Sequence, residues 1–195
     1  MAERDKEISV VAAIHERRSV RAYAPQRLDQ ATVRALLDAA VWAPTAVHEE
    51  PWAFAVVQDM ALLKSLSDRA KTIFAADAHR THPDQASHLL EMVGNPDFNI
   101  FYNAGTLIII CARPKGAFVV ADCWLAAQNL MLAAYAMGLG SCVIGFSVPA
   151  LNTPEIKAEL GIPTECVPVA PIIVGVPSGA PPQTTRKTPE IIAWK

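Results

Sequence analysis

The sequence lacks an excess of positive charge and any long apolar run. Its 17 Lys and Arg residues are outnumbered by 19 Asp and Glu residues, for a net charge of −2 and a pI near 6.2. Such a chain has no overall field that attracts nucleic acid or an anionic membrane. Its apolar runs, such as 107–112, are far shorter than a bilayer span, and residues 1–7 are too charged for a signal peptide. We therefore expect a soluble, cytoplasmic protein without nucleic-acid or membrane partners.

Cysteines are few and widely spaced, and no C-x-x-C pair is present, so neither a zinc site nor a disulfide framework is indicated. The sequence predicts reduced thiols in the core at Cys111, Cys123, Cys142 and Cys166. Cys142 is followed by Val143 and Ile144, which suggests burial rather than an activated nucleophile. No known zinc spacing joins Asp77, His79, His82, Asp84 and His88, and an exposed polar helix surface explains them better than a metal site. No catalytic triad or carboxylate dyad is visible.

The length of 195 residues and a hydrophobic content of 52% suit one buried core, so we expect a single domain over residues 1–195. Periodic apolar positions predict helices over 6–17, 30–41, 59–80, 85–92, 118–137 and 153–160. Asp29 and Thr153 are the expected N-caps of two of them. Uninterrupted apolar stretches predict buried strands over 54–57, 106–111, 141–146 and 167–176. Residues 45–52 read as a loop between two prolines.

A dense basic cluster follows the first predicted helix. Arg17, Arg18, Ser19 and Arg21 combine guanidinium forks, which form paired charge-assisted hydrogen bonds with phosphate, with a hydroxyl donor. The alternative is a solvated basic helix end, which the C-terminal dipole of the helix would favour. Taken alone, the cluster favours the alternative.

A second basic element lies near the C-terminus. The proline-rich stretch beginning at 177 predicts an extended arm over 177–195 that carries Arg186 and Lys187. Such an arm needs a surface, which a second subunit could supply. If Arg186 lies close to the first cluster, the two basic elements together could hold a phosphate dianion. Otherwise Arg186 and Lys187 belong to a solvated C-terminal tail.

Four stretches occur in an order that resembles the nitroreductase family of FMN-dependent oxidoreductases. They are H-E-R-R-S-V-R-A-Y at 15–23, A-P-T-A-V-H-E-E-P-W at 43–52, G-L-G-S-C-V-I-G-F at 138–146, and the late Arg186-Lys187. The resemblance implies an α+β fold with a central, mostly antiparallel sheet wrapped by helices. It also implies an intertwined homodimer with two FMN sites at the subunit interface. By this resemblance Arg17, Ser19, Arg21 and Arg186 hold the FMN phosphate.

The loop before Trp52 departs from the family pattern N-x-Q-P-W, because His48 and Glu50 occupy the two amide positions. An ionised Glu50 can accept a hydrogen bond from the flavin ring but cannot donate one, and its charge would lower the flavin potential. His48 could equally be a loop histidine bonded to water. Ile144 and Gly145 match the family segment whose backbone lies beside the flavin, and Gly145 would permit close approach of the backbone to the ring. Alternatively, Gly145 only relieves crowding within a strand.

The implied activity is the transfer of a hydride from NAD(P)H, through N5 of FMN, to an electron-poor acceptor such as a nitroaromatic or a quinone. Alternatives are a relative acting on enals or halogenated rings and a non-catalytic flavin-binding module. NADH and NADPH are not distinguished, because no motif for a ribose 2′-phosphate is visible. Candidate walls of a substrate slot, each equally explained by core packing, are Phe98, Phe101, Tyr102 and Trp42.

Overall fold

The protein is built on a four-stranded antiparallel sheet, seen in a computed structural model that describes residues 8–81, 86–114, 116–181 and 183–195. The strands are β1 (Trp52–Val57), β2 (Thr106–Ala112), β3 (Gly140–Val143) and β4 (Val167–Gly175). Their order across the sheet is β1-β2-β4-β3. All three pairings are antiparallel. The expected α+β fold with a mostly antiparallel sheet is confirmed.

Seven α-helices surround the sheet in the described ranges. They are α1 (Val10–Glu16), α2 (Gln30–Val41), α3 (Met60–Thr81), α4 (Ala86–Gly94), α5 (Val119–Ala136), α6 (Val148–Leu151) and α7 (Pro154–Glu159). The side chains of Asp29 and Thr153 accept hydrogen bonds from the backbone of Thr32 and Ile156, which confirms both predicted caps. Helix α1 begins later than predicted, because the Ser9 hydroxyl accepts from the Ala12 N–H and caps it there.

The two faces of the sheet form two apolar cores. Ile108 and Ile172 pack towards α2 and α5, whereas Ile109 and Ile173 pack on the side of α3, α6 and α7. Strand β2 is buried along its whole length, as its uninterrupted apolar sequence predicts. At about 1.5–3 kcal/mol for each large aliphatic side chain, this central strand contributes a substantial part of the apolar stabilisation.

Helix α5 runs across one face of this sheet. Among the described residues it is the one helix long and apolar enough to cross a bilayer by length and composition. Its inner side includes Ala126, Ala127 and Ala134, which are fully buried against α2 and the sheet. These small side chains allow close helix packing, so core packing accounts for the apolar character of this side.

The chain after β3 differs from the prediction. The strand expected over 141–146 ends at Val143, and residues 145–147 form a 3-10 turn that leads into α6, which was not predicted. The Ser147 hydroxyl donates to the Ile144 carbonyl at 2.8 Å and closes this turn. Pro149 in the first turn of α6 fixes a helical φ there. Gly145 therefore lies in a tight turn at the end of β3.

Strand β1 is less buried than predicted. It starts at Trp52, before the expected Phe54, and Val56 is 40% exposed. The strand order explains the exposure, because β1 lies at an edge of the sheet and pairs with β2 alone.

Candidate functional site

The arginine cluster is fixed against the edge of the sheet by the backbone around it. Arg17 ends α1 and leaves it in an extended conformation, with φ −57° and ψ 143°. Ser19 then forms a parallel bridge with Ser141 of β3, and the Val20 N–H donates to the Ser141 carbonyl at 3.0 Å. Val20 is buried. The position of the cluster is therefore set by β3.

The C-terminal arm starts beside the same segment. Tyr23 forms an antiparallel bridge with Pro177, and the Ser178 N–H donates to the Ala22 carbonyl at 2.9 Å. The Ala24 N–H donates to the Val176 carbonyl at 2.9 Å. These bonds bring the start of the arm within a few residues of the cluster, although some 155 positions separate the two segments in the sequence.

The positive charge of Arg186 acts on the guanidinium of Arg17. The pKa of Arg17 is lowered, mainly by burial. Cys142 raises this pKa, whereas the positive charges of Arg186 and Arg18 lower it further. The Nε atom of Arg17 is buried and has no hydrogen-bond partner. In the described part of the chain the ion pairs involve Lys64, Arg69 and Lys71 rather than this cluster. Positive charge is thus concentrated here without a described counter-charge, which suits an anionic ligand.

Arg18 differs from its neighbours in the cluster. Its guanidinium donates to the carbonyls of His15 and Arg17, at 2.8 and 2.9 Å, and so caps the C-terminal end of α1. The sequence analysis grouped Arg18 with the phosphate-binding residues. Because its fork is already engaged with the backbone, Arg18 adds charge to the cluster but fewer free donors than Arg17 or Arg21.

A cavity of about 450 Å³ adjoins the cluster. Its volume lies in the usual range for small-molecule sites. Its lining combines one cation with mostly apolar walls: Arg21, Phe74, Ile100, Tyr102, Cys142, Val143, Ile144, Gly145, Phe146 and Pro149. Ile144, Gly145 and Arg21, all predicted from the sequence, therefore meet at one cavity. A Cβ added to Gly145 would have no protein atom within 4 Å, so the space in front of it is open.

The Cys142 thiol lies in this wall but is not activated. Burial raises its pKa, although the nearby charges of Arg21 and Arg17 and a hydrogen bond with Ser19 act in the opposite direction. The thiol is therefore neutral at physiological pH, in agreement with the sequence-based interpretation. All four cysteines are buried and free, as predicted.

His48 and Glu50 lie in a strained turn before β1. Val47, His48 and Glu50 all have left-handed backbones, with φ of 47°, 57° and 46°, which non-glycine residues seldom adopt. The Ala46 N–H donates to the buried carboxylate of Asp122 in α5 at 3.3 Å. The Glu49 carboxylate lies against Gly116, where a Cβ would be 2.7 Å from it. The turn is thus held against the N-terminal end of α5, and His48 and Glu50 remain exposed.

Within one chain this turn is far from the arginine cluster. The turn precedes Trp52 of β1, which pairs with Ala112 at one end of β2. Ser19 bridges Ser141 of β3, which pairs through β4 with the row of Thr106 at the other end of β2. These rows lie six residues apart on β2, or about 20 Å, and three strand spacings apart across the sheet, or about 14 Å. The chain therefore does not bring His48 and Glu50 to the arginine cluster.

The predicted slot walls have different locations. Tyr102 lines the cavity, and Phe98 packs on the Tyr102 ring at 5.7 Å between ring centroids. Phe101 is fully buried in the core, and Trp42 is 79% exposed at the end of α2. Phe74 and Phe146 line the cavity and form an edge-to-face pair at 4.4 Å. The sequence does not predict these two as site residues, since Phe74 carries no signal beyond its helix and Phe146 falls in the strand predicted over 141–146.

The histidines and aspartates weighed as metal ligands, at positions 77–88, lie outside the side chains that the structure describes. Among the described residues, no group of three or more His, Cys, Asp or Glu side chains is arranged to hold a metal ion.

Comparison with known proteins places the chain in a family. A relative from Archaeoglobus fulgidus, named "Putative NADH dehydrogenase/NAD(P)H nitroreductase", is 30% identical over 169 residues, which cover 84% of this chain and 83% of that protein. The crystal structure of a nitroreductase with bound FMN from Bacteroides fragilis is 28% identical and superposes with a TM-score of 0.80 over 95% of this chain and 98% of that one. Iodotyrosine deiodinase bound to FMN and 3-iodo-L-tyrosine shares the fold, with 20% identity, a TM-score of 0.70 and coverage of 94% and 97%.

The family model described as the Nitroreductase family matches residues 14–176, which extend from the helix before the arginine cluster to the strand that leads into the arm. Since this match covers most of the chain, including the whole sheet and every residue that lines the cavity, the chain belongs to the nitroreductase family.

Proposed function

We propose that this protein is an FMN-dependent oxidoreductase that uses NAD(P)H to reduce an electron-poor acceptor, such as a nitroaromatic or a quinone. The observation that carries the proposal is the cavity lined by Arg21 and Gly145, beside which the buried Arg17 feels the positive charge of Arg186. The relatives with FMN in their structures support the choice of cofactor. When bound, FMN supplies the N5 atom through which a hydride can pass from the nicotinamide to the acceptor.

The described residues fit a phosphorylated, flat ligand. The buried Nε of Arg17 lacks a partner, which a phosphate oxygen would provide, and the Ser19 hydroxyl would exchange its bond to the Cys142 thiol for one to the phosphate. Arg186 is exposed on the arm, where one of its guanidinium nitrogens donates to the Thr185 carbonyl at 3.2 Å and its other donors remain for the same phosphate. A phosphate dianion bound here would be held by charges that burial makes more effective than they are in water.

The residues of the cavity walls bind and orient a ligand and do not act as a general acid or base. Phe74, Ile144 and Phe146 give apolar walls to the space in front of Gly145, where the backbone can approach a ring closely. In the lining, Arg21 is the cation and Tyr102 and Cys142 are neutral. Binding and orientation of the reactants are therefore the contributions that we assign to this chain.

We also propose that a second copy completes the site. His48 and Glu50 can reach a flavin edge only from another chain, because within one chain the strand register separates their turn from the arginine cluster by about 20 Å along the strands and about 14 Å across them. Exposed apolar side chains offer a contact surface for that copy on α1, at the end of α2 and at the start of α5: Val10, Val11, Ile14, Trp42, Phe118, Trp124 and Leu125.

The arm over 177–195 ends in exposed Ile192 and Trp194, and we assign it to the same interface. Sedimentation equilibrium should give twice the chain mass, and a monomeric mass at micromolar concentration would contradict the dimer. Free, buried cysteines agree with a reducing compartment, and we keep the cytoplasm as the proposed location.

The decisive experiment is an absorbance spectrum of the purified protein before and after anaerobic NADH or NADPH. A flavin spectrum that bleaches, followed by acceptor-dependent oxidation of NAD(P)H with a nitroaromatic or a quinone, supports the proposal. A bound flavin that neither nucleotide reduces would indicate a non-catalytic flavin-binding module instead. Failure of the apoprotein to bind added FMN would overturn the whole proposal.

A further inference from the structure

Tyr102 has a backbone conformation that a bulky residue seldom adopts. Its φ is 51°, and the next residue, Asn103, has a φ of 55°. In this left-handed region glycine and asparagine are far more comfortable than tyrosine, whose Cβ crowds the following carbonyl. Strain of this kind is often found where a side chain has a task at a site.

The turn that carries Tyr102 is held by its own bonds and by its neighbours. The Tyr102 N–H donates to the Asn99 carbonyl at 2.8 Å, and the Asn99 side chain donates to that of Asn103 at 3.0 Å. Ile100 and Phe101 anchor the turn in the core, with exposures of 1% and 0%. None of these contacts uses the phenol ring, which packs on the Phe98 ring at 5.7 Å between centroids, so the hydrogen bonds of the turn do not depend on the tyrosine side chain.

The phenol ring contacts Arg21. The guanidinium carbon of Arg21 lies 5.9 Å from the centre of the Tyr102 ring, within the range of a cation–π contact. Burial raises the pKa of Tyr102 while the charge of Arg21 and its hydrogen bond lower it, so the phenol stays neutral at physiological pH. Both side chains line the cavity of about 450 Å³. Arg21 is otherwise exposed and has no ion pair among the described residues.

We infer that Tyr102 is a positioning residue for Arg21: the strained turn holds the phenol ring under the guanidinium and keeps that cation at the cavity wall. A free arginine side chain samples many rotamers, and ordering it on binding lowers affinity. A ring that restrains Arg21 before the ligand binds reduces the conformational entropy that is lost on binding. The inference rests on the proposed function, in which Arg21 is one of the flavin-binding cations.

Three single variants separate the ring from the turn. Tyr102→Asn removes the ring but suits the left-handed backbone, Tyr102→Phe keeps the ring, and Phe98→Leu removes an aromatic ring of the same turn that does not line the cavity. The measurement is the Kd of FMN for the refolded or deflavinated apoprotein, from quenching of FMN fluorescence. We expect Tyr102→Asn to raise the Kd about tenfold, and the other two to change it by less than about threefold.

Combination with Arg21→Ala tests the mechanism. If Tyr102 acts through Arg21, adding Tyr102→Asn to Arg21→Ala raises the Kd by less than about twofold further, whereas fully additive effects overturn the inference. An equal loss in Phe98→Leu and Tyr102→Asn would also overturn it, because the effect would then be structural. A wild-type apoprotein that fails to bind FMN refutes the proposed function, whereas wild-type affinity in Tyr102→Asn refutes this inference alone.

Discussion

Gly140 lies directly against the side chain of Val20, with no room for a methyl group between them. A Cβ on Gly140 would be 2.8 Å from Cβ, Cγ1 and Cγ2 of Val20, which is closer than side-chain atoms approach one another. Val20 separates Ser19 from Arg21 in the sequence. The absence of a side chain at Gly140 therefore lets the arginine cluster lie against β3.

Gly140→Ala should move the cluster and weaken the fold. We expect a loss of about 1–3 kcal/mol in the free energy of unfolding, from overpacking, together with weaker FMN binding. Urea unfolding and an FMN titration measure the two effects. Gly94→Ala is the control, because a Cβ there has no atom within 4 Å. An unchanged stability in Gly140→Ala would contradict the close packing.

Gly145→Ala should leave the fold intact and still impair flavin binding. The protein has open space at this position, so the free energy of unfolding of the apoprotein should change by less than about 0.5 kcal/mol. If the flavin occupies that space, the added methyl should raise the Kd of FMN at least about tenfold. Wild-type affinity in a stable Gly145→Ala protein would mean that the ligand does not lie against this turn.

Arg186→Ala should weaken FMN binding but not riboflavin binding, because riboflavin lacks the phosphate that we assign to this residue. The expected loss for FMN is about tenfold, or about 1.4 kcal/mol, as for a charge-assisted bond at an exposed position. Lys187→Ala is the matched control, with the same loss of charge one residue further along the arm. Equal losses for both ligands, or for both variants, would contradict a specific phosphate contact.

Glu50→Gln should raise the midpoint potential of the bound flavin. Removing a carboxylate near the ring removes its repulsion of the negative charge of reduced flavin, on the order of 1 kcal/mol or a few tens of millivolts. Redox titration with reference dyes measures this shift. Glu49→Gln serves as the control, because the Glu49 carboxylate lies against Gly116 of its own chain. No shift in Glu50→Gln would remove Glu50 from the flavin site.

The fold should lose stability in alkaline solution because its thiols are buried. Burial raises the pKa of Cys111 to about 12 and that of Cys123 to about 11, from 9.0. Unfolded thiols therefore ionise from about pH 9 upward while the folded ones stay protonated, so the stabilisation is complete below pH 9 and is lost as the pH rises towards 12. Urea unfolding at pH 7 and pH 10 should show the decrease, and Cys111→Ala should reduce its slope. Equal stability at the two pH values would contradict buried, protonated thiols.

The sequence by itself determined most of the helices and strands and the chemical character of the cluster. Asp29 and Thr153 cap helices because their short polar side chains reach backbone N–H groups three residues away, which is a local property. The apolar run of β2 and the small side chains of α5 likewise indicate burial without knowledge of the fold. The order of the motifs indicated the family, which the match over residues 14–176 confirms.

Only the tertiary structure decided which residues share a site. Pairing of Tyr23 with Pro177 starts the arm beside the arginine cluster, so that the charge of Arg186 acts on Arg17, and the turn after β3 brings Gly145 and Phe146 to one cavity with Tyr102. Strand order then places His48 and Glu50 at the opposite corner of the sheet. Such relations depend on contacts between residues distant in sequence, whose geometry follows from strand register and packing and leaves no periodic or compositional signal in the chain.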